Sequence, residues 1–168
     1  CNNYFFQNYP KEKGITSSTM YSYKCALRDF ESCFTHIKRF RELKGLHFPT
    51  LVDFLRGKYS ETTVNIRLRG IRTFLNYLVE KEFIKSLPFR VKEIKVDKPP
   101  PKYFTPEEIE KIYNSVKNPL LLSTYKAIEV TGMRGGELRN SFRDGLFVKI
   151  FKCKSRSERV VPIPVDYV

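Results

Sequence analysis

Residues 131–140, "TGMRGGELRN", set an arginine and a glutamate among three glycines directly behind an apolar run. A guanidinium is a planar fork that donates two parallel hydrogen bonds to a phosphate and stays charged at any working pH. Gly132 can take the positive φ that ends a helix, and Gly135-Gly136 leave room for close backbone approach. Arg134 would then stand on a sharp turn between two helices. Taken alone, such a turn reads more simply as a helix cap with a solvated charge beside it. A second set of polar residues lies earlier in the chain. Asn65, Arg69, Arg72 and Asn76 recur at helical spacing, and arginine and asparagine are the side chains that read guanine and adenine edges, whereas lysine mostly meets phosphate. Lys24 and Arg28 are secondary candidates of the same kind. The plain alternative for each is a solvated helix face.

Both sets need elements to hold them. Residues 16–37 open with cap-forming Ser and Thr and then repeat Met20, Tyr23, Leu27, Phe30 and Phe34 at helical spacing, which predicts an amphipathic helix. A short apolar stretch from Pro49 to Leu55 predicts a second. At about 100° per residue, Val64, Leu68, Ile71, Leu75 and Leu78 fall in one stripe, and the polar set above falls in another. This third helix has Ser60 as its expected N-cap and is ended by "EKEFIKSLP". Residues 91–102, "VKEIKVDKPPPK", combine charge with three consecutive prolines and read as an extended, semi-rigid linker. The chain is accordingly divided into a helical domain at 1–95, a linker at 96–102 and a second domain at 103–168. "FTPEEIEKI" carries a capping box, with Thr105 at the cap, Pro106 at the first helical position and Glu108 three residues on. Asn118-Pro119 breaks that helix, and "LLLSTYKAIEV" predicts a more buried one running up to Gly132. Beyond Asn140, "LFVKIFKCK" and "ERVVPIP" read as two strands joined through Ser155-Arg156-Ser157.

The composition narrows the partners. The 168 residues carry 31 Lys+Arg against 18 Asp+Glu, a net charge of +13, with 41% hydrophobic and 14% aromatic residues. The chain can therefore bury a core, and it favours a polyanion, with nucleic acid ahead of an acidic membrane. Residues 1–95 hold 18 of the basic and 9 of the acidic residues, so the helical domain supplies most of the attraction. No apolar run reaches the length of a bilayer span, and "CNNYFFQNYP" lacks the regions of a signal peptide, so a soluble cytoplasmic protein is expected, nucleoid-associated in a prokaryote. Cys1, Cys25, Cys33 and Cys153 form no CxxC pair and have no His at zinc spacing; reduced thiols and no metal site are expected. The absence of Met at position 1 suggests a start inside a longer protein.

"TGMRGGEL", "KCKSRSERVVPIP", "YFTPEEIEKI", "SETTVNIRLRGIRTFLNYLVEKEFI" and "TSSTMYSYKCALRDF" occur in the order and spacing in which similar segments occur in the tyrosine recombinases, the phage-integrase and Xer-like family, and the chain resembles that family over nearly its whole length. The resemblance implies a mainly α fold: a helical, SAM-like core-binding domain of four to five helices, a linker, and a partial α+β catalytic domain with a β-hairpin. It implies a site-specific enzyme that clamps duplex DNA, in which a tyrosine attacks a backbone phosphate to form a 3′-phosphotyrosyl link, with no metal or nucleotide cofactor. Full-length members act as homo-oligomers, four protomers on two duplexes. Arg134 matches the family's first catalytic arginine and Glu137 the acidic residue after it, for which hydrogen-bonded support of neighbouring groups and plain helix packing are both fair readings. Lys154 matches the hairpin lysine that protonates the leaving 5′-oxygen, an act open to a lysine whose pKa is lowered by nearby positive charge. Lys152, two residues away on the same strand face, is the rival.

The chain also departs from the family pattern. The family's H-x-x-R, second His or Trp, and nucleophilic tyrosine follow the hairpin, and Val168 comes before them, so this stretch by itself is expected to be inactive. His36-Ile-Lys-Arg39 has the H-x-x-R spacing but stands before Arg134, at the end of the first predicted helix. His47 reads as a loop residue. None of Tyr103, Tyr113, Tyr125 or Tyr167 is nominated as nucleophile, and the path from Glu137 to Val148 is shorter than the family's. Two other functions compete: a non-catalytic DNA-binding module derived from a truncated integrase, and a binder of single strands or RNA, disfavoured because the aromatics fall on predicted core stripes.

Overall fold

In the computed structural model, residues 2–97, 100–151 and 158–163 are described. The chain divides into two compact units, Cys1–Pro99 and Pro100–Val168.

The first unit is built from α1 (Asn2–Lys13), α2 (Ser17–Cys33), a single 3-10 turn (Phe40–Glu42), α3 (His47–Arg56) and α4 (Glu61–Glu80). Helix α4 is central. The stripe expected from its sequence, Val64, Leu68, Ile71, Leu75 and Leu78, is fully buried. It faces Ala26, Leu27, Phe30 and Phe34 of α2 and its end, and Leu51, Val52 and Leu55 of α3, in one continuous core. Gly70 explains how closely α2 and α4 approach: a Cβ at that position would lie 2.7 Å from the Cβ of Ala26. A buried tie reinforces the crossing. Asp29 on α2 pairs with Arg67 on α4 at 2.9 Å and accepts a hydrogen bond from the Tyr59 hydroxyl at 3.2 Å.

Four details differ from the sequence expectation in this unit. Helix α1 lay in a stretch rich in Asn and Gln and interrupted by Pro10, where local propensity is poor. Tertiary packing supplies what propensity does not: Phe5 is fully buried, stacks on Tyr9 at 4.7 Å and meets Phe74 and Tyr77 edge-on at 5.3 Å each. Helix α2 stops at Cys33 rather than running to Ile37. The Ile37 N–H bonds to the Phe34 carbonyl at 2.9 Å, closing a turn that puts Ile37 against the core. His47 opens α3 instead of lying in a loop, its Nδ1 accepting from the Lys44 N–H at 2.8 Å. The stretch read as linker from residue 91 is not free at its start. Phe89 and Val91 are buried, and Ile94 packs against the same core.

The second unit begins with α5 (Pro106–Ser115) and α6 (Pro119–Thr131). The capping box of α5 is formed in full, with the Thr105 hydroxyl accepting from the Glu108 N–H at 3.3 Å and the Glu108 carboxylate from the Thr105 N–H at 2.9 Å. Asn118 caps α6 by accepting from the Leu120 and Leu121 N–H groups. Helix α6 is not the buried helix its composition suggests: none of its residues is buried, and Leu120 is 77% exposed, because no described residue covers that side. After Gly132 comes the short α7 (Gly135–Leu138), then a three-stranded antiparallel sheet of β1 (Ser141–Asp144), β2 (Phe147–Ile150) and β3 (Arg159–Pro162), in that order. The two strands expected from the sequence pair as β2 and β3, with Ile150 opposite Arg159 and Phe147 opposite Pro162. Strand β1 is additional. It accounts for the short path from Glu137 to Val148, turning into β2 through Gly145-Leu146, with Gly145 at φ 58° as a glycine-first two-residue hairpin loop requires. Met133, Val148 and Ile150 form a small core, flanked by Leu138, Val161 and Ile163.

Candidate functional site

The corner that carries Arg134 is set by what precedes it. Gly132 ends α6 in the left-handed region, φ 60°, with its N–H on the Ile128 carbonyl at 2.9 Å, as the sequence predicts. Met133 is buried beneath the turn, which leaves Arg134 facing outward with its side chain 68% exposed. Neither Gly135 nor Gly136 would bring a Cβ within 4 Å of any non-neighbouring described residue, so among the described residues the surface beside the arginine is open.

Glu137 organises this corner. Its side chain is 5% exposed. Its carboxylate accepts from the Arg134 backbone N–H at 3.0 Å, from Arg134 Nη1 at 3.0 Å and from Arg159 Nη2 at 2.7 Å. The Arg134 N–H, the Arg134 side chain and the Arg159 charge hold the Glu137 carboxyl below its ordinary pKa, against the opposing effect of burial. One fixed carboxylate thus holds two guanidiniums, one at the N-cap of α7 and one at the start of β3. Each guanidinium has five N–H donors and spends one of them on Glu137, so both can meet a further anion. Arg159, 41% exposed, was not among the sequence candidates. Its signal was a basic residue at the head of the second β run, where pairing with β2 brings it to the base of the hairpin.

Lys154 and its rival Lys152 lie outside the described residues, as does the connection from β2 to β3 between residues 152 and 157. The strands that flank this connection are described, and through Arg159 and Glu137 the base of the hairpin is tied to the Arg134 corner.

The polar stripe of α4 is partly occupied by the chain itself. Asn65 is 9% exposed, and its amide makes two hydrogen bonds to the backbone of Ile94, donating to the carbonyl at 2.9 Å and accepting from the N–H at 2.8 Å. That amide therefore holds the segment after α4. Arg69 grips Glu93 with two bonds, Nε to Oε1 at 3.0 Å and Nη2 to Oε2 at 2.7 Å, and Arg72 Nη2 reaches Oε1 at 3.3 Å. These two arginines keep the Glu93 carboxyl below its usual range, the Arg69 hydrogen bonds contributing most. Asn76 is exposed on the same helix, and Lys24 and Arg28 are exposed on α2. His36 and Arg39 are exposed in the turns beyond α2. Among the described residues, no group of three or more His, Cys, Asp and Glu could hold a metal ion. No described helix is long and apolar enough to cross a membrane.

No family model matches the chain. It is 28% identical over 173 residues to tyrosine recombinase XerC of Thermodesulfovibrio yellowstonii (strain ATCC 51303 / DSM 11347 / YP87), an alignment covering 95% of this chain and 56% of that protein. Among solved structures, the XerH site-specific recombinase bound to palindromic difH substrate, a post-cleavage complex, aligns with a TM-score of 0.63 at 18% identity, covering 88% of this chain and 49% of that one. XerA recombinase aligns at 0.44 and 18% identity over 99% of this chain and 60% of that one, a TM-score too low to bear on the fold. The chain spans about half the length of the relatives it matches. The mainly helical fold with a small antiparallel sheet matches that of the XerH recombinase structure, and the sequence is similar to that of a tyrosine recombinase.

Proposed function

We propose that the chain is the DNA-binding unit and the first part of the catalytic unit of a site-specific DNA recombinase, which cuts and rejoins duplex DNA through a 3′-phosphotyrosyl intermediate. The observation that carries this is the Glu137-held pair of arginines on a glycine-framed corner. A phosphoryl group passing through a five-coordinate transition state gains negative charge on its equatorial oxygens, and preorganised donors are most effective there. Arg134 supplies that charge. Glu137 and Arg159 are positioning residues: the carboxylate fixes the direction of the Arg134 guanidinium, and Arg159 fixes the carboxylate. Lys154 is assigned the proton given to the leaving 5′-oxygen. Because the guanidiniums occupy the place of a metal's charge, the reaction is assigned no cofactor.

DNA is held by the basic faces of the first unit, with Arg69, Arg72, Asn76, Lys24 and Arg28 as contacts and Asn65 as their structural support. The structural neighbour is itself a DNA-bound complex. Assembly of four protomers on two duplexes belongs to the same reading. The test is Arg134→Ala in the full-length protein, assayed on a nicked suicide duplex. Covalent protein–DNA product should fall at least about 100-fold, while the gel shift of intact duplex is retained. Undiminished covalent product would remove Arg134 from the chemistry, and a full-length wild type that shifts DNA without ever attaching to it would make the protein a binding module.

A further inference from the structure

Arg69 and Arg72 do not stand as free cations on the face assigned to DNA. They close on Glu93 in the two-pronged geometry with which arginine receives carboxylate and phosphate alike. All three side chains are within reach of solvent: 58% exposed for Arg69, 45% for Arg72 and 35% for Glu93. The backbone that carries Glu93 is held on both sides. Val91 is buried, and both the N–H and the carbonyl of Ile94 are bonded to the Asn65 amide. The carboxylate can therefore leave the arginines by rotating its own side chain while the segment stays in place.

We infer that Glu93 is an internal counter-ion seated in a phosphate fork formed by Arg69 and Arg72, and that a phosphodiester of duplex DNA takes the fork by displacing it. This rests on the assignment of the α4 face to DNA and adds a gate to it. A chain of net charge +13 attracts any polyanion. An acidic side chain in the middle of its arginine stripe weakens loose encounters and is outcompeted only where several phosphates are engaged at once. Glu93 thus lowers affinity, and by a similar factor on every duplex that occupies the fork.

The experiment measures binding of the full chain to a fluorescent duplex of arbitrary sequence by anisotropy over a salt series. The variants are Glu93→Gln, Arg69→Ala/Arg72→Ala, the triple combination, and Glu80→Gln. Glu80→Gln removes an equal charge from the end of α4, where Glu80 is paired with Lys13, and sets the size of a general charge effect. Glu93→Gln should bind about 3- to 10-fold tighter than wild type and beyond Glu80→Gln, with a log–log salt slope steeper by about one. In the absence of the two arginines its gain should shrink to that of Glu80→Gln. Unchanged or weaker binding by Glu93→Gln overturns the gate and makes the carboxylate an aiming strut, and so does a full gain that persists without the arginines. If the double arginine variant binds as wild type does, the α4 face itself is misassigned, a failure separate from that of the gate. Thermal unfolding of Glu93→Gln, expected at most a few degrees below the wild-type midpoint because an exposed ion pair contributes little, keeps a folding defect from passing for either result.

Discussion

The two units spend their apolar residues differently. In the first, every residue of the α4 stripe is fully buried, and it is met by side chains from α1, α2 and α3. In the second, three buried residues make the described core, and Leu120, Phe104 and Tyr103 are 69–82% exposed. An apolar pattern at helical spacing fixes which face of a helix is sticky; whether that face is covered depends on a partner elsewhere in the chain or beyond it. The stripe of α4 is therefore covered, while the apolar residues of α6 are not.

Three substitutions would break or sharpen this contrast. Leu68→Ala should cost about 2–5 kcal/mol, read by urea unfolding with hydrogen exchange locating the loss in the first unit. Leu120→Ala should stay within about 0.5 kcal/mol of wild type. Equal costs would end the distinction between the units. Next in size is Gly70→Ala. In an open helix it would gain about 1 kcal/mol. Here its Cβ collides with Ala26, so overpacking should turn the gain into a net loss of about 1–2 kcal/mol. A stabilised variant would show that the α2–α4 crossing is looser than described.

The smallest effect concerns the second unit and is confined to acid. Glu137 has a folded pKa below its ordinary value of 4.5. A carboxyl lowered in this way adds stability that is complete above its unfolded pKa and lost as pH falls through the folded one. The melting temperature of Glu137→Gln should therefore lie below wild type near neutrality, and the gap should narrow below about pH 4.5. A gap that stays constant into acid would separate Glu137 from the two arginines energetically.

The legible features were those with local causes. The caps at Thr16 and Thr105, the Gly132 stop and the α4 stripe each follow from neighbours within a turn or two. Features that depend on distant partners were not read. Strand β1 has weak propensity and is defined by pairing with β2, although Asp144-Gly145 was a hairpin signal in plain view. The occupation of the α4 face was hidden because Val91 and Ile94, the anchors of the returning segment, sit in a run whose prolines and lysines suggested a free linker. At the corner, Arg134 and Glu137 were found because they share a motif, while Arg159 reaches them only through the sheet.

The missing side chain at position 70 has a mechanical consequence. With the backbone of α4 lodged against Ala26, sliding that set a Cβ-bearing position of α4 over Ala26 would bring the two helices into clash. Lys24 and Arg28 on one and Arg69 and Arg72 on the other are therefore spaced like marks on a rigid ruler, and a polyanion that meets both sets must match an interval fixed by the protein.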